Sequence, residues 1–120
     1  MDYLVCKERE LGERSGKLMQ AGDVQVGVFR VKGKLVAYAN RCVHQGGPVC
    51  QGEILGKVEE VLDSDKTLIG ERFSEDEIHL ACPWHGWEYN LATGECAADR
   101  RLRLRSYPVM LRGDDVYVTA

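Results

Sequence analysis

The chain has 120 residues, of which 44% are hydrophobic and 29% are charged, and its formal net charge is −3. This length and composition predict one globular domain with a modest core, covering residues 1–120. The negative charge gives no support for a nucleic-acid partner, and no apolar run approaches the length of a membrane span. The first residues do not form a signal peptide, so we expect a cytoplasmic protein.

The first half of the chain is predicted to form strands joined by short turns. Met1–Lys7 reads as a strand, and residues 8–20 read as a polar loop. In Val24–Val31 valines recur at alternate positions, as expected for a strand with one buried face. A turn at Lys32-Gly33-Lys34 then leads into a partner strand over Leu35–Asn40.

The middle of the chain contains an unusually long segment. Residues 51–77 include a predicted hairpin, formed by Lys57–Leu62 and Thr67–Phe73 and turned by residues 63–66. Ser74–Glu77 is predicted to be a polar break. A further strand, Ile78–Ala81, follows it. The sequence alone does not explain why this segment is present.

The last third of the chain continues the strand pattern. Glu88–Asn90 is a predicted strand, and residues 101–105 read as a half-buried strand whose arginines face outward. Those arginines are expected to form a solvated strand face, with a docking patch as the less favoured alternative. Tyr107–Leu111 and Val116–Thr119 form a closing hairpin. With no long amphipathic helix, the chain is predicted to be all-β.

Two short loops carry the candidate chemistry. Cys42-Val43-His44 and Cys82-Pro83-Trp84-His85 each offer one thiol and one imidazole. These ligand types suit zinc or an iron–sulfur cluster. A zinc finger usually groups a cysteine pair and then a histidine pair. One ligand of each type per loop instead fits a two-iron cluster in which one iron takes both cysteines and the other both histidines.

These loops, with Gly46-Gly47-Pro48 after the first and Gly86-Trp87 after the second, resemble the Rieske [2Fe–2S] family. The resemblance implies an antiparallel β-sandwich with a small cluster-binding subdomain, about 41–90, inserted in it. It implies one [2Fe–2S] cluster per chain, with Cys42 and Cys82 on the inner iron and His44 and His85 on the outer, redox-active iron. The resemblance also implies that these histidine edges lie near solvent.

The second loop departs from the respiratory members of this family. They have a serine directly after the His-Gly of this loop and an extra cysteine in each loop, whereas this chain has Trp87 and Pro83 at the second-loop positions. The chain is therefore similar to the low-potential branch of the family, which includes ferredoxins and oxygenases. We expect Trp84 and Trp87 to shield the cluster. The His44-to-Cys82 spacing is longer than in small members of the family.

Three other cysteines and one other histidine have no predicted role in the site. Cys6, Cys50 and Cys96 are expected to be small buried or half-buried apolar residues, although Cys50 follows the first loop closely. His79 is expected to be a surface or edge residue and not a third ligand. The chain has three histidines in all, too few for a second, mononuclear iron site of the oxygenase type.

The sequence therefore predicts an electron-transfer component, not an oxygenase in its own right. The favoured function is a Rieske-type ferredoxin that passes single electrons from a flavin reductase to a terminal oxygenase or another oxidoreductase. A second possibility is a small subunit or redox sensor fixed in a larger complex, similar to the small subunit of nitrite reductase. A third is a structural module that holds zinc.

Overall fold

The computed structural model describes residues 1–43, 46–62, 68–84 and 86–120, and this part of the chain is almost entirely antiparallel β-structure. Two short 3₁₀ helices, Glu8–Glu10 and Val49–Gln51, accompany the strands. No helix in the described ranges has the length and apolar character needed to cross a membrane. The strands are β1 (Asp2–Lys7), β2 (Gly16–Ala21), β3 (Val24–Val31), β4 (Lys34–Ala39), β5 (Glu53–Leu62), β6 (Leu68–Ala81), β7 (Glu88–Asn90), β8 (Ser106–Tyr107), β9 (Val109–Arg112) and β10 (Asp115–Thr119).

The strands form three sheets. One has the order β1-β10-β9, a second has the order β2-β3-β4-β8, and the third has the order β5-β6-β7. The predicted all-β fold is confirmed, as are the β3–β4 hairpin and the closing β9–β10 hairpin.

Strand β3 separates two hydrophobic cores. Val26 and Val28 pack into one core together with Val116 and Val118 of β10. Phe29 points the other way, into a second core. Because side chains alternate across a strand, one valine-rich strand supplies both cores. We call them the basal core and the cluster-side core; the latter contains Cys42 and Cys82.

Two predictions for the irregular segments are wrong. Gly16–Ala21, predicted to lie mostly in a polar loop, is strand β2 at the edge of its sheet, and its outward side chains, such as Lys17, are polar because they face water. Residues 101–105 do not form a strand. Arg103 makes only an isolated bridge to Glu95, and the segment buries Leu104.

The predicted hairpin in the long segment is confirmed, although its predicted turn, residues 63–66, and Thr67 lie outside the described residues. β5 and β6 pair from Glu53 opposite Ala81 to Leu62 opposite Leu68. The pairing shifts between Gly56 and Val58, so the predicted polar break at Ser74–Glu77 is a bulge within β6. The hydroxyl oxygen of Ser74 accepts hydrogen bonds from the backbone N–H groups of residues 76 and 77, each at 3.1 Å.

Candidate metal centre

The first cysteine loop follows β4 and closes through its own backbone. The N–H of Cys42 donates to the carbonyl oxygen of Gly47 at 2.8 Å, and the N–H of Gly46 donates to the carbonyl oxygen of Cys42 at 2.8 Å. Gly46 has a φ of 75°, a conformation that glycine adopts without steric cost. The loop is thus a tight ring with the Cys42 side chain at its base.

The second cysteine loop follows β6 and repeats this hydrogen-bond pattern. The N–H of Cys82 donates to the carbonyl oxygen of Trp87 at 2.8 Å, and the N–H of Gly86 donates to the carbonyl oxygen of Cys82 at 3.0 Å. Gly86 has a φ of 71°. Both loops therefore hold a cysteine at position 1 and a left-handed glycine at position 5 of the same closed ring.

The two thiols are brought together in the interior. Cys42 and Cys82 are each 3% exposed and belong to the cluster-side core. Burial raises the pKa of the Cys82 thiol, and the neighbouring Cys42 thiol raises it further. Two adjacent buried thiols form a donor pair that suits a positively charged iron, because metal binding stabilises the thiolates.

Gly47 allows the two loops to approach each other. A Cβ atom at this position would lie 3.1 Å from the Cys82 sulfur and 2.9 Å from the ring of Trp84. Any larger residue would therefore push the second loop away from the first. Trp84 covers this contact while 53% of its surface remains exposed, and Trp87 packs against the cluster-side core.

A tyrosine that the sequence analysis did not single out completes the thiol environment. The hydroxyl oxygen of Tyr89 lies 2.9 Å from the Cys42 sulfur, and Tyr89 is fully buried. Burial, followed by the Cys42 contact, raises the pKa of this phenol. The phenol therefore stays protonated and can donate a hydrogen bond to a Cys42 thiolate. Tyr89 follows the second loop on β7, in an alternating strand pattern that gave no sign of a sulfur contact.

The two predicted histidine ligands, His44 and His85, lie outside the described residues. Within the described ranges, no group of three or more His, Cys, Asp or Glu side chains is placed to hold a metal ion. The buried thiol pair and the backbone rings nevertheless fit the sulfur half of a [2Fe–2S] site. Gly47 and the Tyr89 hydroxyl fit a bulky, negatively charged group at the same place.

The three remaining cysteines are buried free thiols, as predicted. Cys50 packs against β3, where a Cβ atom on Gly27 would lie 2.6 Å from its own Cβ. Burial raises the pKa of the Cys50 thiol to about 12. Such a thiol is almost fully protonated near neutral pH, so it is a poor redox nucleophile.

The prediction that His79 is a surface or edge residue is wrong. β6 is the middle strand of its sheet, and His79 is 2% exposed. Its Nδ1 lies 2.9 Å from a carboxylate oxygen of Glu88, and its Nε2 lies 2.6 Å from one of Glu77. The histidine is buried because two carboxylates satisfy both ring nitrogens. The bulge that brings Glu77 into range is not visible in the sequence pattern.

Comparison with known proteins identifies relatives of this chain. The sequence model of the Rieske [2Fe–2S] domain matches residues 1–108. A human Rieske domain-containing protein is 33% identical over 93 residues, covering 76% of this chain. This chain spans about half of that relative, since the match covers 48% of its length.

Two solved structures share the fold. The ferredoxin of carbazole 1,9a-dioxygenase from Nocardioides aromaticivorans superposes with a TM-score of 0.68 at 19% identity, over 98% of this chain and 96% of that one. A Mycobacterium tuberculosis protein described as an NADH-dependent nitrite reductase small subunit gives a TM-score of 0.71 at 19% identity, over 98% and 93% of the two chains.

Proposed function

This chain belongs to the Rieske [2Fe–2S] domain family, and we propose that it works as a one-electron carrier. The cofactor of this family is a Rieske-type [2Fe–2S] cluster, which takes up and releases one electron when bound. We assign Cys42, His44, Cys82 and His85 as its ligands and residues 41–90 as the cluster-binding subdomain within the single domain 1–120. The main support is the matched pair of loops that buries the Cys42 and Cys82 thiols side by side.

The surrounding residues have three tasks in this function. The backbone rings hold both cysteines in place, and Gly47 lets the loops close on each other. The cluster-side core limits the access of solvent to the thiols, which would influence the reduction potential of a cluster bound there. The Tyr89 hydroxyl, 2.9 Å from the Cys42 sulfur, would donate a hydrogen bond to a Cys42 thiolate and stabilise negative charge there.

We propose that the carrier acts as a ferredoxin, accepting electrons from a flavin reductase and passing them to a terminal oxygenase or a related oxidoreductase. The fold that this chain shares with a dioxygenase ferredoxin supports the ferredoxin proposal. A comparable likeness to a nitrite reductase small subunit supports the alternative, a subunit or redox sensor fixed in a larger complex. A monomer that exchanges electrons in solution with a separate reductase favours the ferredoxin; co-purification with a large partner favours the subunit. We also propose a cytoplasmic location, which fits the free thiols of Cys6, Cys50 and Cys96 outside the site.

The ligand assignment can be tested with the chain's three histidines. Protein labelled with ¹⁵N-histidine should show two histidine nitrogens coupled to the reduced cluster by pulsed electron paramagnetic resonance. His79→Gln should keep both couplings, whereas His44→Gln and His85→Gln should each change the signal or lose the cluster. Loss of a coupling in the His79 variant would contradict the assignment.

A further inference from the structure

An open groove of about 610 Å³ lies beside the first cysteine loop. Arg41, Val43 and Gly46 of that loop line one side, and Arg103, Arg105 and Tyr107 line the other. The arginines of residues 101–105 are exposed to solvent, as predicted, but the segment that carries them is not a strand. Two of them turn toward the loop that holds Cys42.

The three arginine side chains converge on this groove. A Cβ atom on Gly46 would lie 3.5 Å from Nε of Arg41, so that guanidinium rests over the cysteine loop. The Arg105 guanidinium lies 5.4 Å from the centre of the Tyr107 ring, which orients it without neutralising its charge. Arg103 has a distant ion-pair partner, Glu95, at 3.7 Å, and its side chain is 62% exposed.

The groove is positive although the whole chain is negative. No acidic residue is among the described residues that line it, whereas the chain carries a net charge of −3. Arg41 and Arg105 make no ion pair with an acidic side chain in the described ranges. A cluster of positive charges in a concave surface focuses the electrostatic field, although the net charge of the chain is negative. The field at this groove therefore attracts a negatively charged partner.

Two exposed apolar side chains lie at the first cysteine loop, and one of them, Val43, lines the groove. Val43 is 42% exposed, and Trp84, which covers Gly47 of the same loop, is 53% exposed. An apolar contact area beside arginines is a frequent composition of protein interfaces. A small anion would be held better by enclosed, desolvated donors than by exposed arginines along an open groove, so a protein surface is the better fit.

We propose that this arginine groove, together with Val43 and Trp84, is the docking surface for an acidic redox partner protein. Carboxylates of the partner would pair with Arg41, Arg103 and Arg105, which places the partner's redox centre next to the first cysteine loop. The proposal rests on the proposed electron-carrier function and adds the partner's charge and its docking site to it.

The test uses the holoprotein, reduced with dithionite and mixed in a stopped-flow instrument with two oxidants of opposite charge. Acidic cytochrome b5 and basic cytochrome c are the probes, at low and at high salt. Replacing both Arg41 and Arg105 with Gln should slow oxidation by cytochrome b5 roughly tenfold at low salt and leave or raise the rate with cytochrome c. High salt should remove most of this difference.

A matched control distinguishes the effect of the groove arginines from the effect of a lower net charge. Lys32→Gln combined with Lys34→Gln removes the same charge at the β3–β4 turn, at the other end of the hairpin from Arg41, and should leave both rates unchanged. Arg41→Lys combined with Arg105→Lys should keep most of the cytochrome b5 rate and show that the loop is intact. Equal slowing in the control, or equal slowing with the small anion hexacyanoferrate(III), would overturn the docking site. The electron-carrier function is tested separately, by the visible spectra of the reduced and oxidised holoprotein, and can hold even if the docking site is overturned.

Discussion

The two cores on either side of β3 differ in composition and in their expected dependence on a cofactor. The basal core is mainly aliphatic, built from valines of β3 and β10 with small residues such as Ala37. The cluster-side core contains the Cys42 and Cys82 thiols and two buried tyrosines. The basal core can be stabilised by burial of apolar surface alone, whereas the other must also satisfy two thiols and the loops that present them.

The largest expected effect comes from removing one of the two proposed thiol ligands. Cys82→Ala should abolish the cluster, because one iron loses a ligand and the second loop loses its anchor. Amides of the two loops should then exchange rapidly with deuterium, while those of β3 and β10 remain protected. Cys50→Ala, a buried thiol outside the loops, is the control and should leave the visible spectrum unchanged. Bleaching of the Cys50 variant would mean that the ligand set is incomplete.

A substitution in the basal core tests the other half of the comparison. Val116→Ala removes two methyl groups from a fully buried position, and should lower the free energy of unfolding by about 2 kcal/mol. Chemical denaturation followed by far-ultraviolet circular dichroism measures this change. The cluster spectrum before unfolding should match that of the unaltered protein. A changed spectrum would show that the two cores are more tightly coupled than proposed.

A smaller effect is expected from the tyrosine on Cys42. Tyr89→Phe removes the hydroxyl donor, so the additional negative charge of the reduced state is less stabilised. The reduction potential should fall by about 50 mV, close to a tenfold change in the redox equilibrium constant. Protein-film voltammetry measures the shift.

Tyr38→Phe provides the matched control for that measurement. Tyr38 is also buried in the cluster-side core, but its hydroxyl donates to the carbonyl oxygen of Leu91 at 2.7 Å and not to sulfur. Its loss should cost about 1 kcal/mol of stability and leave the potential unchanged. Equal potential shifts in the two variants would show that burial, and not the sulfur contact, tunes the site.

The smallest effect concerns the histidine between two carboxylates. The hydrogen bond from His79 lowers the pKa of Glu77 below its usual value of 4.5. The stability that this contributes is therefore present above about pH 4.5 and is lost as the pH falls through the lowered pKa. Glu77 is 35% exposed, so solvent screening limits the contribution to about 0.5 kcal/mol. In the Glu77→Gln variant, the free energy of unfolding should fall less steeply as the pH is lowered below about 4.5. An unchanged dependence on pH would show that Glu77 does not make this contribution.

Much of this arrangement follows from the sequence for identifiable reasons. The paired Cys and His spacings predict the site because few other structures need them, and valine alternation predicts β3. β2 was missed because an edge strand can be polar on its outward face. The burial of His79 and the contact of Tyr89 with Cys42 depend on which residues meet across strands, and local patterns do not contain that information.

The central claim is that the two loops hold one Rieske cluster that carries one electron. Iron and sulfide analysis combined with a redox titration, followed by electron paramagnetic resonance, tests it most directly. We predict two irons and two acid-labile sulfides per chain and a single one-electron transition near the low end of the Rieske range, about −150 mV. A colourless protein with stoichiometric zinc, or a transition well above 0 mV, would contradict the account.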